Sequence, residues 1–427
     1  MMKKIKLIAL ILLIATVGVI VGRWSVAQTS SEAVYRDLKL FTEVFTTVKK
    51  NFVEEINPHE LIISAIKGMI NSLDPHSAYL TPEAYRDFQT ETKGEFGGIG
   101  IQIGIKDGVL TVIAPIEDTP AWKAGIQAGD KILRIDGQST KDMNINDAVS
   151  KMRGPKGKPV TITIQREGWK EPKDITIIRD IIKIKSVKHK MIDKEIGYIK
   201  LTQFQESTAQ DLSVALKLLS EQGMQSLILD LRNNPGGLLQ SAVDVTEQFL
   251  PPKHLVVSIR GRAGEKMEYY TENLRPSYTD ITMIVLVNQG SASASEIVAG
   301  ALQDWKRALI LGVQTFGKGS VQSLIPLSDG SALKLTTAKY YTPKGKSIHG
   351  VGIIPDIVVK IESKNGKEVP VVREKELEKH LKGEKIEIQE KAPPEVEEKE
   401  DTQLQRAIEI LKSWKLIEKL KKAAKSK

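Results

Sequence analysis

The sequence predicts an α/β fold: a mainly parallel sheet of βαβ units, a mostly β module ahead of it, N-terminal helices and a C-terminal helical extension. Three observations carry this. From Ile196 onward, strand-like apolar runs (YIKL, SLILDL, MIVLVN, ALILGV) alternate with helical stretches (TAQDLSVALKLLS, LLQSAVDVTEQFL, SEIVAGALQDW), the order of elements that gives parallel strands. Between Gly94 and Arg179, short alternating runs such as GIGIQIGIKDGVLTVIAPI and PVTITIQREG are punctuated by Gly and Asp, with Asp107-Gly108 as a hairpin signal. At both ends of the chain, apolar residues recur at helical spacing.

Taken in order, residues 1–27 place Lys3, Lys4 and Lys6 ahead of an apolar or small run from Leu7 to Gly22, the pattern of an export signal. Ser25-Val26-Ala27 fits a small-x-small cleavage site, and Arg23 and Trp24 fit the flank of a short signal anchor; both outcomes stay open. Residues 28–93 hold two amphipathic helices, with Leu38, Phe41, Val44, Phe45 and Val48 in one and Leu61, Ile62, Ala65, Ile66 and Met69 in the next, separated by NPHE, and then the turn-rich SLDPHSAYLTPEAY. The β module occupies 94–179 and the βαβ core 180–360. In 361–427, the charge-dense EKAPPEVEEKED reads as a linker. An amphipathic helix follows, with Leu404, Ala407, Ile408, Leu411, Trp414 and Leu420 broadly on one face, expected to pack on the body or on another subunit.

Composition excludes several classes of chemistry. The 427 residues contain no cysteine, so a thiol nucleophile, disulfides and Cys-based zinc sites are ruled out, and no metal or other cofactor is expected. The net charge of +9 comes from Lys and Arg interleaved with Glu and Asp, and aromatics are only 5% of residues, so a nucleic-acid stacking platform is not expected. The basic balance reads as a solvated surface.

In open parallel sheets, ligands gather at the carboxyl ends of the strands. Three such ends carry unusual loops: RNNPGG after LILDL, QGSASAS after IVLVN, and QTFGKG after LILGV. Gly312, Gly317 and Lys318 in the last nearly match a phosphate-binding loop. Gly319 stands where Ser or Thr must hold magnesium, however, and SVQSLIPL reads as strand rather than helix, so nucleotide binding is rejected. Ser293 lies three residues before Glu296 at the start of an apolar helical pattern, which is a capping box. A serine on a strand-to-helix turn among small residues also exposes its hydroxyl, beside amides suited to an oxyanion. Of the available bases, none of the six histidines is in a motif marking it as a triad base. Lys318 is better placed, provided burial lowers its ordinary pKa of about 10.4, at roughly 1.4 kcal/mol per unit.

The block GSASASEIVAGALQDWKRALILGVQTFGKGSVQ resembles the catalytic block of the carboxyl-terminal processing, or tail-specific, serine proteases; SLDPHSAYLTP, FGGIGIQI, DLRNNPGGLL and GKSIHGVGIIPDI resemble other segments of that family. The resemblance implies a crotonase/ClpP-like protease core carrying a Ser-Lys dyad. Ser293 would be the nucleophile and Lys318 the general base, with Gln322 orienting the lysine. The oxyanion hole would be formed by the amide of Ala294 and one from the Gly236-Gly237 pair. The β module resembles a PDZ domain, which implies capture of a peptide's C-terminal carboxylate at Gly98, Ile99, Gly100 and Ile101 by strand addition. Arg153 stands where some relatives carry an arginine that senses this binding. The implied partners are protein substrates with unstructured apolar C-termini, with an activating adaptor and a homodimer through the terminal helices as further expectations.

The expected protein is thus an exported serine endopeptidase, periplasmic or anchored to the outer face of the cytoplasmic membrane. The alternative is a non-catalytic PDZ adaptor, against which intact Ser293, Lys318 and Gln322 argue. Ser64 and Lys67 form an S-x-x-K pattern like that of β-lactam-reactive enzymes. They fall inside an ordinary amphipathic helix without the accompanying motifs.

Overall fold

The computed structural model describes residues 32–106, 108–141, 143–262, 264–272, 278–360, 373, 374, 376 and 401–425; the segment read from the sequence as an export signal and most of the charged linker lie outside them. The chain divides into two units, Met1–Ser72 and Leu73–Lys427.

The first unit contains a helix over 32–51 and a second over Pro58–Asn71; the break falls at 52–57, just ahead of the expected place, because Asn57 of NPHE caps the second helix and its last three residues begin it. Pro58 starts the second helix, where its missing N–H costs nothing, and Asn57 Oδ1 caps it by accepting from the His59 N–H at 3.0 Å. Ser64 and Lys67 lie within this helix.

The second unit is built on a six-stranded sheet. Its strand order is Val187–Met191, Ile196–Leu201, Ser226–Asp230, Thr282–Val287, Leu309–Gly312 and Ile357–Val358, antiparallel for the first pair and parallel thereafter. Helices Thr208–Glu221, Leu239–Glu247 and Ala294–Asp304 follow successive parallel strands, as the alternation predicts. Ser226–Asp230 is buried at every position, because a parallel strand under helices has no wet face. Leu212, Leu216 and Leu219 of the first helix and Val298, Ala301 and Leu302 of the third join Leu227, Leu229, Val285 and Phe249 in the main core. A second, antiparallel sheet joins Ala78–Leu80, Ala332–Tyr341, Leu255–Gly261 and Lys266–Tyr270, with Ser320–Pro326 paired to Ala332–Tyr341.

The β module is a six-stranded antiparallel sheet from Ile101 to Ile178 around a core of its own, including Ile132, Ile135, Ile162 and Ile164. A two-stranded ribbon, Glu95–Gly98 against Asp180–Lys183, brings the chain in and out of it. At the far end of the chain, helix Thr402–Lys425 covers the other face of the main sheet. Leu404, Ala407 and Leu411 are buried against Ile196, Ile228, Ile284, Leu286 and Leu311. The stripe read from the sequence is used only in part: Trp414 and Leu420 are 49% and 61% exposed, since the helix's second half is not covered by the sheet.

Candidate active site

The three loops singled out in the sequence follow Ser226–Asp230, Thr282–Val287 and Leu309–Gly312, and these strands are neighbours in the main sheet. Their contents therefore converge at one edge, on the side where parallel strands end. Ser293 sits at the turn into helix Ala294–Asp304 with φ 54° and ψ −112°, a conformation costing a non-glycine residue of the order of 1–3 kcal/mol. The surrounding bonds hold it there. The turn is closed by Asn288 N–H to Ser291 Oγ at 3.0 Å, and Ser291 Oγ donates to Leu231 O at 2.8 Å, so it is pinned to the neighbouring loop.

Glu296 ties this turn to the lysine loop. Its carboxylate is fully buried and accepts from the Ser293 N–H (2.8 Å), the Gly317 N–H (2.7 Å), the Lys318 N–H (2.9 Å) and Thr315 Oγ1 (2.5 Å). Burial pushes its pKa up to about 7, against these four bonds that favour the ionised form. The capping-box spacing marked Glu296 as the partner of Ser293. Its bonds to residues 315–318 arise only from the fold.

Lys318 is largely buried, and that burial holds its pKa below the ordinary lysine value. Lys334 pushes the same way, while the carboxylates of Glu374, Glu296 and Asp74 oppose. The loop can come this close because its glycines have no side chains. A Cβ on Gly319 would lie 2.1 Å from His349 N, and Gly317 has φ 97° with the backbone of Gly350–Gly352 against it. The residue that spoils a magnesium site is the one the packing demands.

Gln322 lies on strand Ser320–Pro326, and its Nε2 donates to Ser320 Oγ at 2.9 Å and Thr336 Oγ1 at 3.3 Å. Thr336 Oγ1 donates on to Asp74 Oδ1, and Ser77 Oγ to Asp74 Oδ2. In the same SLDPHS turn, His76 Nε2 lies 2.7 and 2.8 Å from the two carboxylate oxygens of Glu374, whose side chain is 1% exposed and whose backbone N–H donates to Phe316 O. Sequence reasoning missed Asp74, His76, Thr315, Thr336 and Glu374, since nothing local marks them as neighbours of Lys318.

The glycine pair is built against the serine. A Cβ on Gly236 would lie 2.8 Å from Ser293 Cβ and 3.0 Å from Ala294 N; one on Gly237 would lie 2.2 Å from Phe204 O. The Gly236 N–H is taken by Asn234 Oδ1 at 2.9 Å, whereas the Gly237 N–H has no acceptor among the described residues. Asn234 also joins the loops, its carbonyl accepting from Ala292 N–H and Ser295 Oγ. Asp304, at the end of the serine helix, accepts from Lys344 N–H at 2.9 Å and is part of the scaffold.

In the β module, Gly98 ends the entry strand, Ile99 is buried in the core, Gly100 has φ 82° packed on Thr119, and Ile101 begins strand Ile101–Lys106. That strand is at the edge of its sheet, beside helix Ile145–Met152. Arg153, at the end of this helix, stacks on Phe96 with 4.7 Å to the ring centroid and donates to Asp87 Oδ1 at 2.9 Å. It thereby links the module to helix Pro82–Lys93.

Comparison with known proteins places these features in a family. Residues 195–359 match Peptidase family S41, 111–166 match the PDZ domain, and 22–84 match the activating protease CtpB N-terminal domain. The chain is 47% identical over 373 residues to the carboxy-terminal-processing protease of Bartonella bacilliformis, covering 86% of this chain and 85% of that one. It is 37% identical over 364 residues to the carboxy-terminal processing protease CtpA of Bacillus subtilis, covering 84% and 78%. Among solved structures, the photosystem II D1 C-terminal processing protease is similar, with 29% identity, a TM-score of 0.45, and coverage of 76% of this chain and 94% of that one. The chain therefore belongs to the carboxyl-terminal processing proteases, serine-type peptidases that carry a PDZ domain.

Proposed function

We propose that this peptidase cleaves by acyl-enzyme chemistry, with Ser293 as nucleophile and Lys318 as general base. One observation carries the reading: the buried Glu296 carboxylate accepts from the amides of both residues, so attacking group and base are fixed to the same anchor. Ser293 Oγ adds to the scissile carbonyl carbon while its proton passes to neutral Lys318 Nζ. The developing oxyanion is held by the N–H groups of Ala294 and Gly237; of the glycine pair we choose Gly237, because the Gly236 amide is already spent on Asn234. As the C–N bond breaks, Lys318 returns the proton to the leaving amine. A water molecule, deprotonated by the same lysine, then attacks the acyl carbon; as the ester C–O bond breaks, Lys318 returns that proton to Ser293 Oγ and the acid product leaves. Gln322, its nitrogen fixed by Ser320 and Thr336, presents its amide oxygen to Lys318 and orients it.

Substrate selection belongs to the PDZ domain. A tail with an apolar C-terminus adds as a strand along the open edge Ile101–Lys106, its carboxylate at the Gly98–Ile101 turn, in the groove beside helix Ile145–Met152. Arg153 lies where such binding would be felt by the core, through a half-exposed pair with Asp87 that is readily exchanged. Export by the N-terminal segment, an activating adaptor and self-association through the terminal helices complete the reading. Val34, Leu38, Phe41 and Val44 of helix 32–51 are exposed apolar residues suited to the last.

Digestion of an unfolded reporter ending in apolar residues tests it. Wild type cleaves, Ser293→Ala does not, and amidating the reporter's C-terminal carboxylate slows cleavage. Equal cleavage by wild type and Ser293→Ala overturns the catalytic assignment, and indifference to amidation overturns the PDZ role.

A further inference from the structure

The C-terminal helix reaches the catalytic loops through one ion pair. Arg232, in the RNNPGG loop, donates from Nη1 to Asp401 Oδ1 and from Nη2 to Asp401 Oδ2, both at 2.7 Å. The same guanidinium holds Asp230, with Nη2 to Oδ2 at 2.7 Å and Nε to both oxygens, and Nη1 meets Gln403 Oε1 at 3.2 Å. Asp401 also caps the helix by accepting from Leu404 N–H at 3.0 Å. Tyr198 donates its hydroxyl to Asp230, and Gln403 Nε2 donates to Val359 O. Asp230 and Gln403 are wholly buried, and Arg232 nearly so.

A buried ion pair of this kind is a poor source of net stability, because desolvation offsets its attraction; fixing position is the better-attested use. Here it fixes the loop that begins at Leu231. Arg232 is followed directly by Asn233, held at φ 58° by two bonds with Asn288, and by Asn234, which binds Gly236 N–H through its side chain and Ala292 and Ser295 through its carbonyl. The residue before it, Leu231, accepts from Ser291. Residues 231–237 thus lie between the Asp401 clamp and the Ser293 turn.

We infer that Arg232 and Asp401 are positioning residues through which the C-terminal helix sets the oxyanion loop, so that undocking the helix's first turn lowers catalysis without weakening substrate binding. This rests on the oxyanion role proposed for Gly237 and Ala294.

The test compares the full-length wild type with Asp401→Ser, which keeps a helix cap but removes the clamp, and with Asp401→Asn. Each is measured for kcat and KM on a tail peptide, and for inhibition by a peptide boronic acid, in which Ser293 Oγ adds to boron to give a tetrahedral adduct. A misplaced oxyanion loop weakens the tetrahedral adduct but not the ground state. The expected result is a kcat lower by roughly tenfold or more, boronate affinity lower by a similar factor, and KM within about twofold. Lys412→Ala with Lys415→Ala removes the pairs to Asp193 and Glu195 that hold the same helix elsewhere, and is expected to retain kcat. Wild-type kcat in Asp401→Ser, a fall in kcat with unchanged boronate affinity, or an equal loss in the double lysine variant overturns the clamp. Absence of any wild-type adduct at Ser293 overturns the serine assignment instead, and the clamp's premise with it.

Discussion

At Lys318 the competing effects have definite signs. A general base must be neutral, and burial favours the neutral amine, with Lys334 assisting and Glu374, Glu296 and Asp74 opposing. With Lys318 as the proposed base, activity is expected to rise with pH through the lowered lysine pKa. Glu374→Gln removes an opposing charge and shifts the rising limb of kcat/KM to lower pH; Lys334→Met removes an assisting one and shifts it to higher pH. Opposite displacements in the two pH profiles are expected, and limbs that stay in place would contradict Lys318 as the titrating base. Glu296 has its own signature. Glu296→Gln replaces one acceptor oxygen by a donor facing buried N–H groups, a loss of about 1–3 kcal/mol, or roughly ten- to hundredfold in kcat. Because its folded pKa of about 7 lies above the ordinary carboxylate value, the folded state binds the proton more tightly. Glu296 thus lowers stability as pH rises from about 4.5 to 7, and unfolding curves of the glutamine variant lose that slope.

Among the elements, the C-terminal helix is held by a few residues of one stripe. Leu411, 2% exposed against the main sheet, is the natural place to break it, and Leu411→Ala is expected to cost about 3 kcal/mol by denaturant titration. A loss under about 0.5 kcal/mol would show that the helix is not docked in solution. The helix itself was legible from its apolar spacing, but not the point where its stripe leaves the body, which is why Trp414 and Leu420 are exposed. Strand and helix alternation from Ile196 onward identified the sheet and its parallel order, because covered parallel strands read as continuous apolar runs. The place of Ser293 at the start of a helix was legible from its capping-box spacing to Glu296, whereas its proposed role as nucleophile came from the strand-to-helix turn among small residues and from the family resemblance of the surrounding block.

On the scale of the whole molecule, what stayed hidden was long-range convergence. His76 and Glu374 are 298 residues apart, and Arg232 and Asp401 are 169 apart, yet both pairs close around the same set of loops. No period or spacing encodes such meetings; they follow from how a second sheet and two distant segments fold back onto the carboxyl edge of the first. The proposed choice of Gly237 over Gly236 likewise rests on a contact the sequence does not show, the Gly236 N–H donating to the Asn234 side chain. The molecule combines a PDZ domain, a sheet whose strand ends bring together the loops of Arg232, Ser293 and Lys318, and a terminal helix tied to one of those loops. In the proposed chemistry, Lys318 takes the Ser293 proton. The most direct measurement is the single-turnover acylation rate of Lys318→Arg at neutral pH, beside its thermal unfolding, because arginine keeps the charge but cannot serve as a neutral base. The expected result is a folded protein whose acylation is slower by roughly a thousandfold or more; a folded variant acylating within about tenfold of wild type would contradict Lys318 as the base.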